Sequence, residues 1–362
     1  MQAAPLRTGW TTGSCATAAA TAALAGLATG ECLDPVSIRL PGGQTPSFSL
    51  ARCAIGPDWA FAAVVKDAGD DPDVTHQALI CAKLWRGAPG SGVQFRAGEG
   101  VGTVTRPGLP LPVGEPAINP VPRQMMRDNL GALAAALGVA ADLVVEISIP
   151  GGEALAQRTL NPRLGIVGGL SVLGTTGIVV PFSCAAWIHS IHRGIDVARA
   201  SGLRHVAGAT GNVSESSIQR LHGLPDPALI EMGDFAGGML KYLRRHPVPR
   251  ISIAGGFAKM TKLAQGLLDL HSRAGAVDLA FMAQLAAEAG AGPDLCQAIA
   301  QANTAKHALD LAEAIAPALA AQVAERAWHT AAAVLDGTGM ELEILVTDRD
   351  GRPVAQRPFQ AC

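Results

Sequence analysis

Hydrophobic positions along the chain follow two different rhythms, and the rhythm changes at about residue 183. Before that point, short apolar runs bounded by Pro, Gly or Asp predominate, which is typical of strands. After it, strand-length and helix-length patterns alternate over short links, and this alternation predicts a parallel sheet. We therefore predict a two-domain α/β protein, with an α+β domain at 1–182 and an α/β domain with a mainly parallel sheet at 183–362.

The first region combines predicted strands with three predicted helices and one long loop. Periodicity and end signals predict helices at 17–27, 73–84 and 125–137. Apolar runs predict strands at 36–40, 47–53, 60–66, 93–97 and 143–149. Six prolines between Pro107 and Pro122 exclude a regular helix or a central strand. Residues 98–122 are therefore predicted to form a structured functional loop.

The second region predicts a regular alternation of elements. Helices are expected at 185–200, 214–222, 235–245 and from 259, with strands at 205–207, 229–232 and 250–254. Alanine-rich helices follow to about residue 335, and the segments 342–347 and 353–356 around Asp350-Gly351 predict a hairpin.

Composition narrows the function classes. The chain is 49% hydrophobic and 16% charged, which favours folded cores over disorder. A net charge of -2 provides no broad basic field for nucleic acid. The charge-free runs at 8–30 and 164–192 contain hydroxyls and glycines, which argue against a signal peptide or a membrane span. Seven scattered cysteines without a Cys-x-x-Cys pair predict neither disulfides nor structural zinc, and favour a reducing, cytoplasmic compartment.

Three segments of the first region carry candidate chemistry. Thr11-Thr12-Gly13-Ser14-Cys15 precedes a helix, where free amides and the dipole attract anions, although simple capping explains the same residues. We expect Cys15 to be an unreactive side chain packed in the core. The glycines of 98–105 allow close backbone approach and Arg123 could clamp a carboxylate or phosphate, whereas a tight hairpin with a surface arginine is the plain alternative. The third segment, 149–177, is dense in glycines and hydroxyls, of which core turns explain about half.

The second region has a segment typical of nucleotide-binding α/β units. Gly208-Ala209-Thr210-Gly211-Asn212 follows a strand and precedes a helix, and Glu231 comes 20 residues after Gly211, the offset of a ribose-binding acid. A plain βαβ turn is the alternative. The segment 255–259 could bind an anion or simply begin a helix. His271 could interact with the dipole at the end of that helix or, when protonated, bind a carboxylate. His189 and His192 share a helical face, but without a third ligand they favour surface or packing roles.

Together these segments resemble one family. Residues 6–16, 98–105, 116–123 and 147–177 are similar to the cobalt-precorrin-5B C1-methyltransferases (CbiD-like proteins) of cobalamin biosynthesis, as are 233–235, 256–263, 271–272 and 303–304. Trp10 replaces the usual tyrosine, Leu270 stands where a hydroxyl is expected, and Ala209 and Asn212 loosen the glycine pattern.

The resemblance implies a reaction and a fold. It implies transfer of a methyl group from S-adenosylmethionine to C1 of cobalt-precorrin-5B, giving cobalt-precorrin-6A, and a first domain like a permuted ribosomal-protein S5 domain. No protein-bound metal, nucleic acid or membrane is expected, cobalt occurs only within the corrinoid substrate, and a homo-oligomer is left open. The catalytic side chain, if any, is not identified.

The resemblance also implies two sets of binding residues. Donors for the anionic acceptor are expected at Arg7, Thr11, Thr12, Ser14, Asn119, Arg123, Asn161, Arg163, Thr175, Thr176, Lys262 and His271. Contacts to the adenosyl cofactor are expected at Gly208, Thr210, Gly211, Asn212, Glu231, Gly233 and Asp234.

Two other functions remain open at this point. An ATP-dependent small-molecule kinase could use the glycines of 98–102, although no Walker-type Lys-Ser/Thr follows them. A non-catalytic corrinoid carrier would need no nucleotide-like second domain.

Overall fold

The computed structural model describes residues 5–362, which form two compact units that divide between Ser183 and Cys184. Unit 1 contains helices α1–α3 and strands β1–β11, in the order β1 (Gly9–Trp10), α1 (Thr12–Thr29), β2 (Val36–Ser37), β3 (Ser47–Phe48), β4 (Arg52–Ile55), β5 (Trp59–Val65), β6 (Leu79–Arg86), β7 (Val93–Ala97), β8 (Thr103–Val104), α2 (Pro120–Leu137), β9 (Leu143–Ser148), α3 (Gly152–Ala156), β10 (Ile166–Val167) and β11 (Ile178–Val179).

The core of unit 1 is a five-stranded sheet covered by two helices. Its order is β4-β5-β6-β9-β7, antiparallel except for the parallel pair β7 and β9. Helix α1 packs on β5, β6 and α2. Its residues are mostly Ala, Gly and Thr, and all of them from Thr12 to Gly26 are buried. Their small side chains let the sheet and α2 pack closely around the helix. The Ala and Val residues of β5 alternate toward the same core.

Several sequence-based boundaries in unit 1 need correction. The helix predicted at 73–84 is wrong, since β6 occupies Leu79–Arg86 as the central strand between β5 and β9. Pairing on both sides overrides the helical pattern there. The strand predicted at 47–53 is interrupted into β3 and β4. Helix α2 begins at Pro120, earlier than predicted, because proline is tolerated in a first helical turn.

A disulfide joins Cys32 and Cys53, so the expectation that the cysteines are all free is wrong at these two positions. Cys32 follows α1, and Cys53 lies in β4, which packs on that helix. The two Cα atoms are 6.5 Å apart although the residues are 21 positions apart in sequence, a proximity that spacing alone does not reveal.

Unit 2 is a doubly wound α/β structure. Its elements are α4 (Cys184–Ala200), β12 (His205–Ala209), α5 (Asn212–His222), β13 (Leu229–Glu231), α6 (Ala236–Arg245), β14 (Arg250–Gly256), α7 (Phe257–Ala264), α8 (Leu279–Glu288), α9 (Pro293–Ala300), α10 (Ala305–Leu311), α11 (Ala316–Leu335), β15 (Glu341–Thr347) and β16 (Pro353–Ala361). The sheet order is β13-β12-β14-β15-β16, with only β16 antiparallel.

Two apolar cores cover the two faces of this sheet. Helix α5 packs on one face through Ile218, against Ala207 and Ala254. Helices α4, α6, α7 and α11 pack on the other face, against Val206, Ile253 and their neighbours. The predicted mixed α/β architecture with a mainly parallel second sheet is confirmed. No helix in residues 5–362 is long and apolar enough to cross a membrane.

Candidate functional site

The N-terminus of α1 is closed by its own chain. Thr11 is the N-cap and its Oγ1 accepts a hydrogen bond from the Ser14 amide at 3.2 Å. The Gly13 amide donates to the Leu173 carbonyl at 3.1 Å, and the Ser14 hydroxyl donates to the Gly177 carbonyl at 2.7 Å. The groups that were predicted to bind an anion are therefore hydrogen-bonded within unit 1, as the alternative of simple helix capping predicts. Burial raises the pKa of the Cys15 thiol to about 12, which keeps it protonated and unreactive.

The loop 173–177 lies directly on this helix terminus. A Cβ built on Gly174, where φ is +137°, would stand 2.4 Å from Thr11 Oγ1. On Gly13 it would stand 2.9 Å from the Pro122 ring. The N-terminal motif, the proline loop and the Gly-Thr-Thr-Gly segment are thus one packed assembly. Thr175 and Thr176 at the tip of the loop are exposed, as is the neighbouring Leu173.

Lys66 lies at the centre of a buried polar cluster that the sequence did not predict. Its side chain is 2% exposed, and Nζ donates to Asp73 Oδ2 and Thr75 Oγ1, both at 2.5 Å, and to Thr12 Oγ1 at 3.3 Å. Burial by itself would raise the pKa of Asp73, but the Lys66 ammonium and the two hydrogen bonds from Thr75 together outweigh it, and the pKa is lowered. This buried ion pair ties Thr12 to the β5–β6 connection.

The predicted arginine donors of unit 1 already have partners. Arg123 donates from Nε to the Ile118 carbonyl (2.7 Å), from one terminal nitrogen to Glu115 Oε2 (2.9 Å) and from the other to the Pro116 carbonyl (3.0 Å). Asn119, predicted beside it, is the N-cap of α2 but makes no side-chain cap bond.

Arg7 is the exposed arginine near the start of the described chain. Its guanidinium pairs with Asp67, which lowers the pKa of that carboxyl to about 2, assisted by the Gly69 amide. Its predicted role toward a substrate carboxylate would compete with this ion pair.

The glycine-rich segments 98–102, 149–152 and 166–170 pack backbone against backbone. A Cβ on Gly100 would stand 2.0 Å from the Ile149 carbonyl oxygen, and one on Gly169 would stand 2.3 Å from Gly100. Asn161 is buried beside them, donating to the Gly169 carbonyl at 3.3 Å. Arg163 is half-buried in the adjoining turn. The amides of Gly98, Val101 and Gly102 also donate to backbone carbonyls of unit 1 instead of facing a phosphate, which disfavours the kinase alternative.

The second candidate site is the edge of the unit 2 sheet where its parallel strands end. Thr210 and Gly211 follow β12, Glu231 ends β13, and Gly256 ends β14. Helix α5 leaves β12 toward one face, while α7 leaves β14 toward the other. Such a switch point opens a crevice at the carboxyl ends of the strands, where α/β proteins bind their ligands. The structure thus brings the predicted cofactor residues together at one edge.

The crevice has open space at two helix N-caps beside the ion pair of Lys259 and Asp234. A Cβ on Gly211 or on Gly256, the N-caps of α5 and α7, would meet nothing within 4 Å. Lys259 Nζ donates to the Thr210 carbonyl at 3.0 Å and lies 3.0 Å from Asp234 Oδ1. Asp234 Oδ1 is buried and is compensated by this ion pair, although the contact lacks hydrogen-bond geometry.

The remaining predicted cofactor residues shape this edge. The backbone amide of Gly233 donates to the Ala209 carbonyl at 3.2 Å, across the ends of β13 and β12. Gly208 lies within β12, where a Cβ would stand 2.4 Å from Met239 Sδ, so this glycine serves helix–sheet packing. Asn212 is exposed as the first residue of α5, and Gly211 before it is the N-cap.

Trp187 is a further residue at this edge that sequence reasoning missed. Its Nε1 donates to the Glu231 carbonyl at 3.1 Å, and its ring lies 3.4 Å from where a Gly233 Cβ would be. The side chain is nonetheless 42% exposed. A single tryptophan in an apolar helical pattern gives no signal of such a position.

Four other predicted residues lie elsewhere in unit 2. Lys262 is buried and donates to the Leu270 carbonyl at 3.0 Å, and His271 is exposed. His192 stacks on Tyr242 with ring centroids 3.9 Å apart, and within residues 5–362 neither it nor His189 belongs to a metal-binding group.

Comparison with known proteins identifies close relatives. The model of the CbiD family matches residues 1–181, and the model described as CbiD, C-terminal domain, matches 269–358. A cobalt-precorrin-5B C(1)-methyltransferase from Bradyrhizobium sp. (strain BTAi1) is 63% identical, covering 97% of this chain and 94% of its own. Proteins of the same name from Brucella canis (59%; 98% and 96%) and Agrobacterium fabrum (62%; 96% and 91%) are similar.

A solved structure is also similar in sequence. The crystal structure of the cobalamin biosynthesis protein (cbiD) from Archaeoglobus fulgidus is 27% identical, covers 74% of this chain and 83% of that one, and superposes with a TM-score of 0.41.

Proposed function

Because the chain belongs to the CbiD family, we infer that it is a methyltransferase that acts at C1 of cobalt-precorrin-5B. The observation that carries this inference is identity of 59–63% to relatives of that name over nearly the whole of both chains. We further propose that S-adenosylmethionine is the methyl donor, that the reaction takes place in the cytoplasm, and that unit 1 has a permuted S5-like topology.

The proposed cofactor site is the unit 2 crevice. S-adenosylmethionine supplies an activated methyl group on a sulfonium. Glu231 is suited to accept the ribose hydroxyls, since its carboxylate makes no hydrogen bond to another residue of the described chain. The partly exposed Asp234 carboxylate, beside Lys259, is suited to interact with the ligand's ammonium or a hydroxyl. The open space at the N-caps Gly211 and Gly256 allows a ligand to approach the backbone closely. The exposed Trp187 ring offers a stacking surface for adenine.

The proposed acceptor surface is the exposed tip of unit 1 at 173–182. Thr175 and Thr176 offer hydroxyls, while Leu173, Val180 and Phe182 present exposed apolar side chains. A macrocycle with an apolar face and an acidic rim matches such a mixture. Phe182 supports the assignment, because it is 67% exposed and holds a φ of +55°, a conformation that is uncommon for a bulky residue and concentrates at functional sites.

The chemistry asks little of the protein beyond positioning. A bond forms between C1 of the acceptor and the methyl carbon while the bond from that carbon to sulfur breaks, which releases a neutral thioether. Alignment and exclusion of water supply most of the rate in such a displacement. No side chain needs to act as a nucleophile, and the protonated, buried Cys15 agrees with this.

The reaction is tested by incubating the full chain with methyl-labelled S-adenosylmethionine and cobalt-precorrin-5B, then locating the label by NMR. We expect the label at C1 and one S-adenosylhomocysteine per methyl transferred. Absence of the label from C1 would refute the proposed function. A carrier would bind the corrinoid but show no thermal shift with S-adenosylhomocysteine.

The cofactor assignment is tested separately by binding. Glu231→Ala and Asp234→Asn should each weaken S-adenosylhomocysteine at least about tenfold, as expected when a buried polar contact of about 1.4 kcal/mol is lost. Glu313→Ala, an exposed glutamate of the same unit, should not. Unchanged affinity of the Glu231 variant for S-adenosylhomocysteine would refute the crevice as the cofactor site. The proposed reaction would not be affected by that result.

A further inference from the structure

Two histidines and a glutamate converge at the edge of the unit 2 sheet opposite the cofactor crevice. His205 begins β12, Glu343 is the third residue of β15, and His222 ends α5. Ser252 of β14 pairs in register with Glu343 on one side and with Ala207 on the other. Because residues two apart on a strand share a face, His205, Ser252 and Glu343 all face α5.

The polar atoms of this cluster are close together. His222 Nε2 lies 2.7 Å from Glu343 Oε2, and His205 Nε2 lies 2.8 Å from Ser252 Oγ. The Ser252 hydroxyl donates to the same Glu343 oxygen. One nitrogen from each histidine and one oxygen of Glu343 all lie within 4.8 Å of one another. The Glu343 side chain is 1% exposed, so its charge needs a compensating cation.

We propose that His205, His222 and Glu343 bind a divalent transition-metal ion of the zinc type. Two imidazole nitrogens and a carboxylate oxygen are a ligand set that zinc takes in proteins, with a fourth position for water or another donor. Ligand atoms of a tetrahedral zinc site lie about 3.3 Å apart, so small side-chain rotations close the cluster. An ion bound to Glu343 Oε2 would displace the hydrogen bonds that His222 and Ser252 donate to that oxygen.

The surroundings of the cluster suit a metal site. Gln356 Nε2 donates to the second Glu343 oxygen at 2.6 Å and fixes the carboxylate plane. The Phe359 ring packs against both imidazoles, with centroids 5.2 and 5.6 Å from His205 and His222. The neighbouring cation, Arg250, is paired with Glu341, which limits its repulsion of a metal.

This proposal departs from the sequence-based expectation of no protein-bound metal. His205, His222 and Glu343 follow no metal-ligand spacing, since His222 and Glu343 are 121 residues apart. Only the register of β12, β14 and β15 and the end of α5 bring them together. The proposal does not depend on the methyltransferase function.

Metal binding to the full chain distinguishes this site from a closed hydrogen-bond network. The chain is stripped with a chelator and dialysed against Zn²⁺, and metal is counted per chain; Co²⁺ titration then reports ligand geometry by visible absorption. We expect one zinc per chain, a tetrahedral cobalt spectrum and a melting temperature raised by zinc.

The decisive variant is His222→Gln, because a glutamine amide can still donate to Glu343 but supplies no imidazole. It should weaken zinc at least about tenfold and abolish the zinc-dependent thermal shift. His329→Gln is the matched control, since His329 is an exposed histidine that also contacts a glutamate, Glu325. Substoichiometric zinc in the wild type, or equal zinc affinity in the wild type and His222→Gln, would overturn the proposal. Glu343→Gln adds a second ligand test where that variant folds.

Discussion

Glycines mark the motifs of both units, but their surroundings differ. In unit 1, Gly100, Gly169 and Gly174 lie against protein atoms at distances that no Cβ tolerates. In unit 2, Gly211 and Gly256 face open space at the ends of two strands. The same residue type therefore serves close packing at these positions of the first unit and faces open space at two strand ends of the second.

Polar side chains show the same contrast. Arg123 of unit 1 uses all three of its nitrogens on neighbouring carbonyls and Glu115. In unit 2, Asp234 Oδ1 lies 3.0 Å from Lys259 Nζ in an ion pair that lacks hydrogen-bond geometry. A motif that is long and specific in sequence can thus use its polar groups to hold the fold together.

The largest effect should come from the buried ion pair that supports the unit 1 motif. Asp73→Ala removes the carboxylate from Lys66 and leaves a buried ammonium uncompensated. The free energy of unfolding should fall by about 3–5 kcal/mol, measured by denaturant titration. Asp58→Ala, at an exposed site in the same unit, should change it by no more than about 0.5 kcal/mol. Equal losses in both variants would contradict a structural role for the Lys66 cluster.

The glycine contrast itself is tested by a matched pair. Gly174→Ala places a methyl 2.4 Å from Thr11 Oγ1 at a positive φ, so it should cost about 1–3 kcal/mol of unfolding free energy. Gly211→Ala meets nothing within 4 Å and has an extended φ, so it should cost less than about 1 kcal/mol, the difference between glycine and alanine at an N-cap. If the two variants melt alike, close packing does not explain the glycines of unit 1.

The sequence predicted unit 2 better than unit 1, for a physical reason. Parallel strands joined by helices repeat a local pattern, so the elements from α4 to β16 could be read from periodicity. In unit 1, the strand β6 depends on pairing with β5 and β9, which are distant in sequence, and a helix was predicted over part of it. The Cys32–Cys53 disulfide depends on the same kind of long-range packing.

The prediction of site residues was also limited by contacts between residues that are distant in sequence. The segments around Gly211 and Glu231 could be predicted to lie at one edge of the sheet because their spacing in a βαβ unit is fixed by local geometry, while their role toward a cofactor stays a prediction. Sequence showed that Thr11, Ser14 and Arg123 belong to important motifs, but not that their donors are used within the protein. Trp187 was missed because only the folded chain brings its ring beside Gly233.

A smaller effect should separate ligand binding from stability in unit 2. Gly211→Val fills the open space at the N-cap of α5 and should weaken S-adenosylhomocysteine at least about tenfold, or about 1.4 kcal/mol, by calorimetry. Gly292→Val is the control, because Gly292 is also an extended N-cap with nothing within 4 Å, at α9. Both variants replace a glycine N-cap by valine, so their melting temperatures should fall by similar small amounts. Equal affinities in both variants would mean that the space at Gly211 holds no cofactor.

The smallest effect concerns the exposed pair of Arg7 and Asp67. The pKa of Asp67 is about 2 in the folded chain and about 3.9 in an unfolded one, so the pair stabilises the fold above about pH 4. That contribution is lost as the pH falls from about 4 through about 2. Arg7→Ala should move the pKa of Asp67 upward in an NMR titration, but not fully, because the Gly69 amide still donates to it. The pKa of Asp142, lowered by the amides of Gly90 and Gly92, should not move. An unchanged pKa of Asp67 would mean that Arg7 is not committed to this carboxylate and is free to bind an anionic substrate.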